Sequence, residues 1–312
     1  MHTTIEAILL EPLRLFNDPS ERVWWGALCA ALAIAILWEF TRVGRWRGAL
    51  ARALPKHILI HPSSRVDMQF IFVRAFVRVV LIAALPFGAQ ALAVKVVLWC
   101  YQGVGAPPVV LTGATLVAVY STVLFLVSDA SRYVIHRLLH RIPVLWRFHQ
   151  VHHSAEVLTP LTLYRNHPCE QLLQAGRGII VLGAVGGLFA WLSFGKASVA
   201  QLYGVPAAMF VFNVLGANLR HSHNWLPYPR WAEHLFISPA QHQMHHGRAD
   251  IENRVNYGNV LSIWDRLGGS HRYSSEGQPT DFGLEASDRH HRPRSVWSAI
   301  IDPLWRRQSM GE

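Results

Sequence analysis

Histidine stands out in this chain, with 18 copies among 312 residues. Three groups have a spacing that could do chemistry. They are His136-Arg-Leu-Leu-His140, His149-Gln-Val-His152-His153 and His242-Gln-Met-His245-His246. On a helix, residues at i, i+3 and i+4 share one face, with Cβ atoms about 5–6 Å apart. Each group therefore sends its rings one way, which makes eight imidazoles on three coherent faces. His221 and His223 stand close after an apolar run, and His167 lies in Asn166-His167-Pro168. Neutral imidazole is a ligand for Fe, Zn, Cu and Ni. One ion takes about four to six ligands, so a set of this size calls for two ions. The bland alternative is surface histidine that titrates near neutrality. A repeated HxxHH pattern at helical spacing argues against it. His2, His57, His61, His234, His271, His290 and His291 have no such partners and read as non-ligands.

Elements must bring these faces together, and the composition indicates which kind. Hydrophobic residues make up 51% of the chain and charged residues only 15%, whereas a soluble domain carries about 25% charged. Five apolar runs are candidates for crossing a bilayer: 23–38, 79–94 (with Pro86 inside), 109–127, 178–194 and 197–219. A span needs about 20 apolar residues, so four or five transmembrane helices are expected. The last two runs are separated only by Gly195 and Lys196 and predict a helical hairpin.

Basic residues follow the first, third and fifth runs: Arg42, Arg45, Arg47, Arg52 and Lys56; then Arg132, Arg137, Arg141 and Arg147; then Arg220, Arg230 and Arg248. The links 101–108 and 195–196 hold one Lys between them. Basic loops are retained on the cytoplasmic side, so the histidine groups are expected together on that face of a bacterial inner membrane or endoplasmic reticulum. The net charge of +10 borders apolar runs rather than forming one patch, so no nucleic-acid partner is expected. Cys29, Cys100 and Cys169 form no CxxC pair, which argues against a disulfide framework or a cysteine-zinc site. Glu6 and Glu11 interrupt the amino-terminal apolar stretch, so no cleaved signal peptide is expected. The runs 109–127, 178–194 and 197–219 contain neither His nor acid. That argues against a metal transporter or a haem carrier, which need ligands at mid-membrane depth. The fold expected is all-α: a polytopic membrane protein with a cytoplasmic helical cap holding a di-metal site.

Longer motifs carry a specific resemblance. They are DASRYVIHRLLH at 129–140, LWRFHQVHHS at 145–154, RNHPCE at 165–170, HSHNWLP at 221–227, PAQHQMHH at 239–246 and NYGNVLSIWDRLGG at 256–269. Together they resemble the fatty acid hydroxylase / sterol desaturase superfamily of membrane di-iron proteins, with a weaker extension back to 64–67. The resemblance implies metal ligation by His136, His140, His149, His152, His153, His221, His242, His245 and His246. His223 stands where many relatives carry Asn, as an additional ligand or a group behind the ligands. Ser270 replaces a more usual Thr, which should matter little.

The resemblance further implies two iron ions, zinc being able to replace them on purification, and O2 as co-substrate. The reaction implied is hydroxylation of a C–H bond of a fatty acyl, sterol or related lipid that enters sideways from the bilayer. Zinc has no redox chemistry and cannot be the working ion. No nucleotide fingerprint or haem motif occurs in the chain, so a separate electron-donor protein is implied, with the basic face available to dock an acidic one. Carboxylates on the outer ring nitrogens would orient the ligands. Asp129, seven residues before His136 on the same helical face, leads; its plain alternatives are a helix-terminal cap or a partner for Arg132. Glu170 and Asp265 follow as matched motif positions. Asn256 and Asn259 read as turn residues, while Tyr133, Tyr164 and Trp225 read as pocket lining or interface packing. The alternatives are a desaturase or demethylating oxidase of the same superfamily, an inactive relative, or a non-enzymatic membrane metal-binding or transport protein. Filled ligand positions argue against inactivity. The organisation expected is a membrane-spanning region at 1–120, a catalytic domain at 121–272 and a tail at 273–312. Within that tail, 272–294 reads as exposed and 296–305 as docking on the membrane surface.

Overall fold

The structure, a computed structural model, describes residues 10, 12–19, 21–82, 85–195, 216–248, 254–284, 293 and 295–305. Among these the chain is helical, and the only β structure is two isolated bridges, Phe236 with Leu261 and Gly247 with Phe282. We label the longer helices α1 (Trp25–Val43), α2 (Trp46–Ala53), α3 (Pro62–Ile82), α4 (Leu85–Gly103), α5 (Gly113–Arg141), α6 (Pro143–His153), α7 (Pro168–Leu192), α8 (Pro239–His245), α9 (Ile263–Gly268) and α10 (Val296–Trp305).

Three of them, α1, α5 and α7, are long and apolar enough to cross a membrane, each with mean hydropathy 1.6. Only 22%, 22% and 33% of those spans is buried within the protein. An apolar helix with most of its surface outside the fold belongs in lipid rather than water. The chain is therefore a membrane protein.

Local signals set the helix ends. The α5 helix runs until Ile142, because Pro143 cannot continue it; the same proline opens α6 at its first position. Pro168 opens α7 likewise, capped by the His167 ring, which accepts the Cys169 amide at 3.1 Å. The α7 helix ends at Ser193, after which Phe194 and Gly195 adopt φ of 53° and 74° and turn the chain.

Two contacts organise the membrane part. Leu116, Tyr120 and Leu124 of α5 pack on Val181, Val185 and Phe189 of α7, with Tyr120 edge-on to Phe189 at 5.2 Å. On another face of α7, Gly183 and Gly187 let the α4 backbone come close. A Cβ at Gly187 would stand 2.6 Å from the Ala93 carbonyl oxygen and 2.7 Å from Val96 Cβ. Close backbone approach through small residues four apart is how helices associate in lipid.

Nearer the histidines, a buried pair ties α3 to the chain between α6 and α7. The Arg165 Nε donates to Asp67 at 2.6 Å, and the Thr162 and Thr159 hydroxyls donate to the other Asp67 oxygen at 2.6 and 3.2 Å. Arg165 also donates to Ser63.

Among the described residues the expected runs meet the structure in different ways. The run 79–94 takes in the end of α3 and the start of α4, with 83–84 outside the described residues. The run 109–127 becomes helical only from Gly113 and then continues to Arg141. The run 197–219 falls largely outside the described residues; its end, Ala217–His221, is a buried 3-10 turn. The stretch read as an exposed tail is anchored. Ser274 N–H donates to Glu233 at 3.0 Å, Phe282 bridges Gly247, and Arg248 donates to the Phe282 carbonyl at 2.8 Å. Ala299 of α10 is buried against Val66, Phe70 and Val151, although Trp297 and Trp305 of the same helix are exposed.

Replacing Gly187 with Leu should force α4 and α7 apart and lower stability by about 1–3 kcal/mol, the usual cost of overpacking. Gly186→Ala meets nothing within 4 Å and should be neutral or slightly stabilising. Thermal unfolding in detergent compares the two; equal effects would refute the glycine contact.

Candidate metal centre

Four elements supply the histidines. The last turns of α5 carry His136 and His140, α6 carries His149, His152 and His153, the 3-10 turn ends at His221, and α8 with its C-cap carries His242, His245 and His246. They form two groups: His136, His140, His149, His153 and His245 in one, and His152, His221, His242 and His246 in the other. Within each group the ligand atoms lie within 4.8 Å of one another. The groups adjoin, since His153 stacks on His246 at 4.6 Å. Each HxxHH segment serves both groups: His149 and His153 serve one and His152 the other, as do His245 against His242 and His246.

The inward nitrogens have no sufficient protein partner. His140, His149, His153 and His245 leave Nε2 buried without a hydrogen bond. In the second group, Nε2 of His152, His246 and His242 lie 3.3, 3.1 and 3.0 Å from Nε2 of His221. One imidazole nitrogen either donates once or accepts once, so it cannot satisfy three others. A cation at the centre would satisfy all four, and the donor set suits a borderline transition-metal ion.

Three of the outer nitrogens are held, whereas those of His152 and His242 are buried without a partner. His136 Nδ1 lies 2.8 Å from the Tyr257 carbonyl, and His245 Nδ1 lies 2.9 Å from that of Val255. Both acceptors place the proton on Nδ1 and leave the Nε2 lone pair facing inward. His149 Nδ1 faces Glu170 Oε2 at 3.1 Å. Burial lowers His149 from its ordinary value of 6.5 to about 3. Burial, then repulsion from His149, does the same for His152. Burial first and neighbouring imidazoles second hold His153, His221, His242 and His246 well below 6.5, and burial with His136 and His149 does so for His245. The rings are neutral at physiological pH, the state a metal requires.

Three of the carboxylate and histidine assignments resolve differently. Asp129 touches no histidine. It accepts from the amides of Val260 and Leu261 at 3.1 and 3.0 Å and from Trp264 Nε1 at 2.9 Å, fastening the 260–264 loop to α5. Asp265 accepts from the amides of Tyr257 and Gly258 at 2.8 and 2.7 Å and from the Ser270 hydroxyl at 2.7 Å. It thus fixes the loop whose Tyr257 carbonyl meets His136. Of the three acids, Glu170 is the one that contacts a clustered ring. His223 joins neither group; its Nε2 lies 2.8 Å from the Arg52 carbonyl. The 3-10 turn ends at His221 and the backbone becomes extended at Ser222 (φ −149°, ψ 167°), so His223 lies beyond the turn that places His221. His167 is a helix cap that also meets the Ile300 carbonyl at 2.9 Å.

Asn256 adopts φ 52° and bridges Gln241 and Arg272, as a turn residue does. Tyr133 bonds Ser270 and Arg137 rather than facing the rings. Trp225 offers its carbonyl to Trp38. The orienting carbonyls of Tyr257 and Val255 have no signature in sequence, because any residue type supplies a carbonyl.

A cavity of about 750 Å³ is lined by His136, His149, His152, His221 and His242 together with Leu139 of α5 and Ile179 and Leu182 of α7.

Apolar spans beside two buried imidazole groups define a helical membrane protein with a histidine cluster of a kind that could hold metal ions. The family follows from comparison: residues 121–270 match the fatty acid hydroxylase family and form such a domain. The match covers just under half of the chain and, with the relatives that follow, supports the fatty acid hydroxylase / sterol desaturase superfamily. Among curated relatives, ornithine lipid hydroxylase OlsE of Rhizobium tropici is 29% identical over 161 residues, which is 51% of this chain and 43% of that protein. Alkylglycerol monooxygenase of Homo sapiens is 28% identical over 184 residues, 58% of this chain and 36% of the relative. Delta(7)-sterol 5(6)-desaturase of Leptosphaeria maculans is 31% identical over 150 residues, 46% and 35% respectively. The chain thus spans less than half the length of these relatives. No solved structure matches significantly.

Glu170→Gln should weaken metal retention about 10–100-fold, as loss of an orienting partner does; metal analysis during chelator challenge measures it, and unchanged retention would rule out that role. The pKa depressions set a second expectation. Between pH 6.5 and about 3 the unfolded chain binds protons that the native His149 and His152 refuse. Stability of the metal-free protein should therefore fall as pH drops through that window, which thermal unfolding against pH will test.

Proposed function

We propose that this protein is an O2-dependent oxygenase that holds two iron ions and hydroxylates a C–H bond of a lipid-like substrate. The observation that carries the reading is the pair of buried imidazole groups with unpartnered inward nitrogens, beside a cavity that residues of α5 and α7 also line. His136, His140, His149, His153 and His245 would hold one iron, and His152, His221, His242 and His246 the other. When bound, the iron pair supplies the redox chemistry that lets O2 oxidise a C–H bond; the rest is the work of the chain. It keeps the rings neutral by burial, orients His136, His149 and His245 through their outer nitrogens, and lays the apolar part of the substrate along Leu139, Ile179 and Leu182. The names of the bacterial and human relatives, a lipid hydroxylase and a monooxygenase, support oxygen insertion.

The substrate enters from the bilayer. The metal site faces the cytoplasm of a bacterial inner membrane or of the endoplasmic reticulum, on the side of the basic segments. A separate protein delivers electrons, docking an acidic surface on that face. No nucleic acid is involved. The sterol desaturase relative supports a second outcome, desaturation, which leaves the product two hydrogens lighter rather than one oxygen heavier.

His152→Ala and His245→Ala each remove a ligand from a different group. Both should abolish oxidation while the protein still inserts in membranes. Lipid mass spectrometry of expressing cells, paired with membrane fractionation, tests this, and full activity in either variant would refute the assignment.

A further inference from the structure

The cavity carries far more positive charge than the reaction of an apolar chain needs. Six arginines line it, Arg22, Arg74, Arg78, Arg132, Arg177 and Arg220, against two acids, Glu21 and Glu170. Glu21 is held by Arg74 at 3.3 Å and by Arg78, and Glu170 faces His149 at 3.1 Å. No acid remains in the lining for Arg22, Arg132 and Arg177.

What these three do bind is neutral. Arg22 donates to the Asn259 side chain at 2.9 Å. Arg177 donates to Gln174 at 3.0 Å, to the Ser131 hydroxyl at 2.9 Å and to the Ser128 carbonyl at 3.4 Å. Arg132 makes no hydrogen bond or ion pair among the described residues and is exposed. The charge it feels is that of Asp129, whose oxygens already accept from Val260, Leu261 and Trp264.

The three cations also gather. Arg132 is near enough to repel both Arg22 and Arg177. They come from three separate elements: the segment before α1, the α5 helix and the α7 helix. Arg132 precedes His136 by one turn on α5, and Arg177 follows Glu170 by two turns on α7. Both lie on the lipid-ward side of the metal ligands, within helices apolar enough to span a membrane. Charge at such a position is costly and marks a ligand or transport path. Burial first, then the Arg132 charge, lower Arg22 to about 10 against the smaller opposing influence of Tyr164 and Asp129. All three line the same cavity as His136, His149 and His221.

We propose that the substrate is an anionic lipid, and that Arg22, Arg132 and Arg177 hold its oxyanion head group, a phosphate or a carboxylate, while its apolar part lies along Leu139, Ile179 and Leu182. This rests on the oxygenase reading for the fate of the lipid, but not for its binding. Guanidinium forks match both oxyanions through paired N–H donors, and Arg132 has its whole fork available. The head group completes the charge balance that the protein leaves open.

The test uses iron-loaded full-length protein in detergent. Binding is measured by tryptophan fluorescence for dioctanoyl phosphatidic acid, octanoate, dioctanoylglycerol and inorganic phosphate. At least one anionic lipid should bind about tenfold or more tightly than the neutral dioctanoylglycerol, given the strength of charge-assisted hydrogen bonds. Arg132→Gln and Arg177→Gln should erase that preference while leaving iron content and dioctanoylglycerol binding unchanged, and Arg132→Lys should restore part of it. Equal binding of neutral and anionic lipids by the wild-type protein overturns the proposal even if no variant folds. So does a preference that survives in folded, iron-replete Gln variants, and so does inorganic phosphate binding as tightly as the anionic lipids, which would make this a free-anion site. The outcomes also separate the two readings. If the preferred anionic lipid binds but is never oxidised with reductant and O2, the oxygenase reading fails and the head-group site stands. If only neutral lipids are oxidised, the head-group site fails and the oxygenase reading stands.

Discussion

The structure depends on the desolvation of a cluster of neutral imidazoles. Nine rings are drawn from four elements into two adjoining groups; Nε2 of His140, His149, His153 and His245 is buried without a hydrogen bond, and three other Nε2 atoms crowd that of His221. Each buried nitrogen left in that state costs about 1–3 kcal/mol, and several together rival the net stability of a whole domain. Such an arrangement survives because the rings stay uncharged and because a cation between them would turn the penalty into binding energy. Metal affinity and folding are then one quantity measured two ways.

The scaffold around the rings is built to prevent their rotation. The α6 helix is short and opens with a proline, so its histidines are fixed relative to the end of α5 by a single residue of linker. The 255–265 loop holds rings from the other side with its carbonyls, and two acids hold the loop. Asp129 binds it from α5 and Asp265 from within. The carboxylates thus act at different removes from the metal. Glu170 touches a ring, Asp265 fixes a carbonyl that touches a ring, and Asp129 fixes the segment that carries Asp265. Gly258 belongs to the same logic, because a Cβ there would come within 2.7 Å of Asp265 Oδ2 and 2.8 Å of the Leu261 carbonyl.

The cavity joins two environments that rarely meet. Its lining combines imidazole rings with aliphatic surface and guanidinium groups. An apolar chain satisfies the aliphatic surface, and an oxyanion satisfies the cations. Both belong to the same molecule in a charged amphiphile. The glycine contact between α4 and α7 matters to this geometry as well, since α7 carries Ile179 and Leu182 on the cavity wall and packs on α4 two turns further along.

By itself, the sequence determined the chemistry of the centre and the kind of protein. Helical periodicity is local, so HxxHH announces a shared face wherever the helix lies, and a long uncharged run announces lipid whatever its neighbours. Glu170 was legible from its motif, and the superfamily was legible from six motifs read together. Tertiary structure decided what depends on meeting across distance. It divided each HxxHH between two ligand groups, which periodicity cannot do because the three rings leave one face at different angles. It removed His223, which lies past the end of the 3-10 turn that places His221 and meets the Arg52 carbonyl instead. It moved Asp129 from a histidine to a loop more than a hundred residues later, as its bond to Val260 spans 131 positions. Above all it gathered Arg22, Arg132 and Arg177, each of which reads in the sequence as an ordinary basic residue near a span. Charge in a linear chain carries no information about its counter-charge; only packing shows that these three face one cavity with no acid left among them.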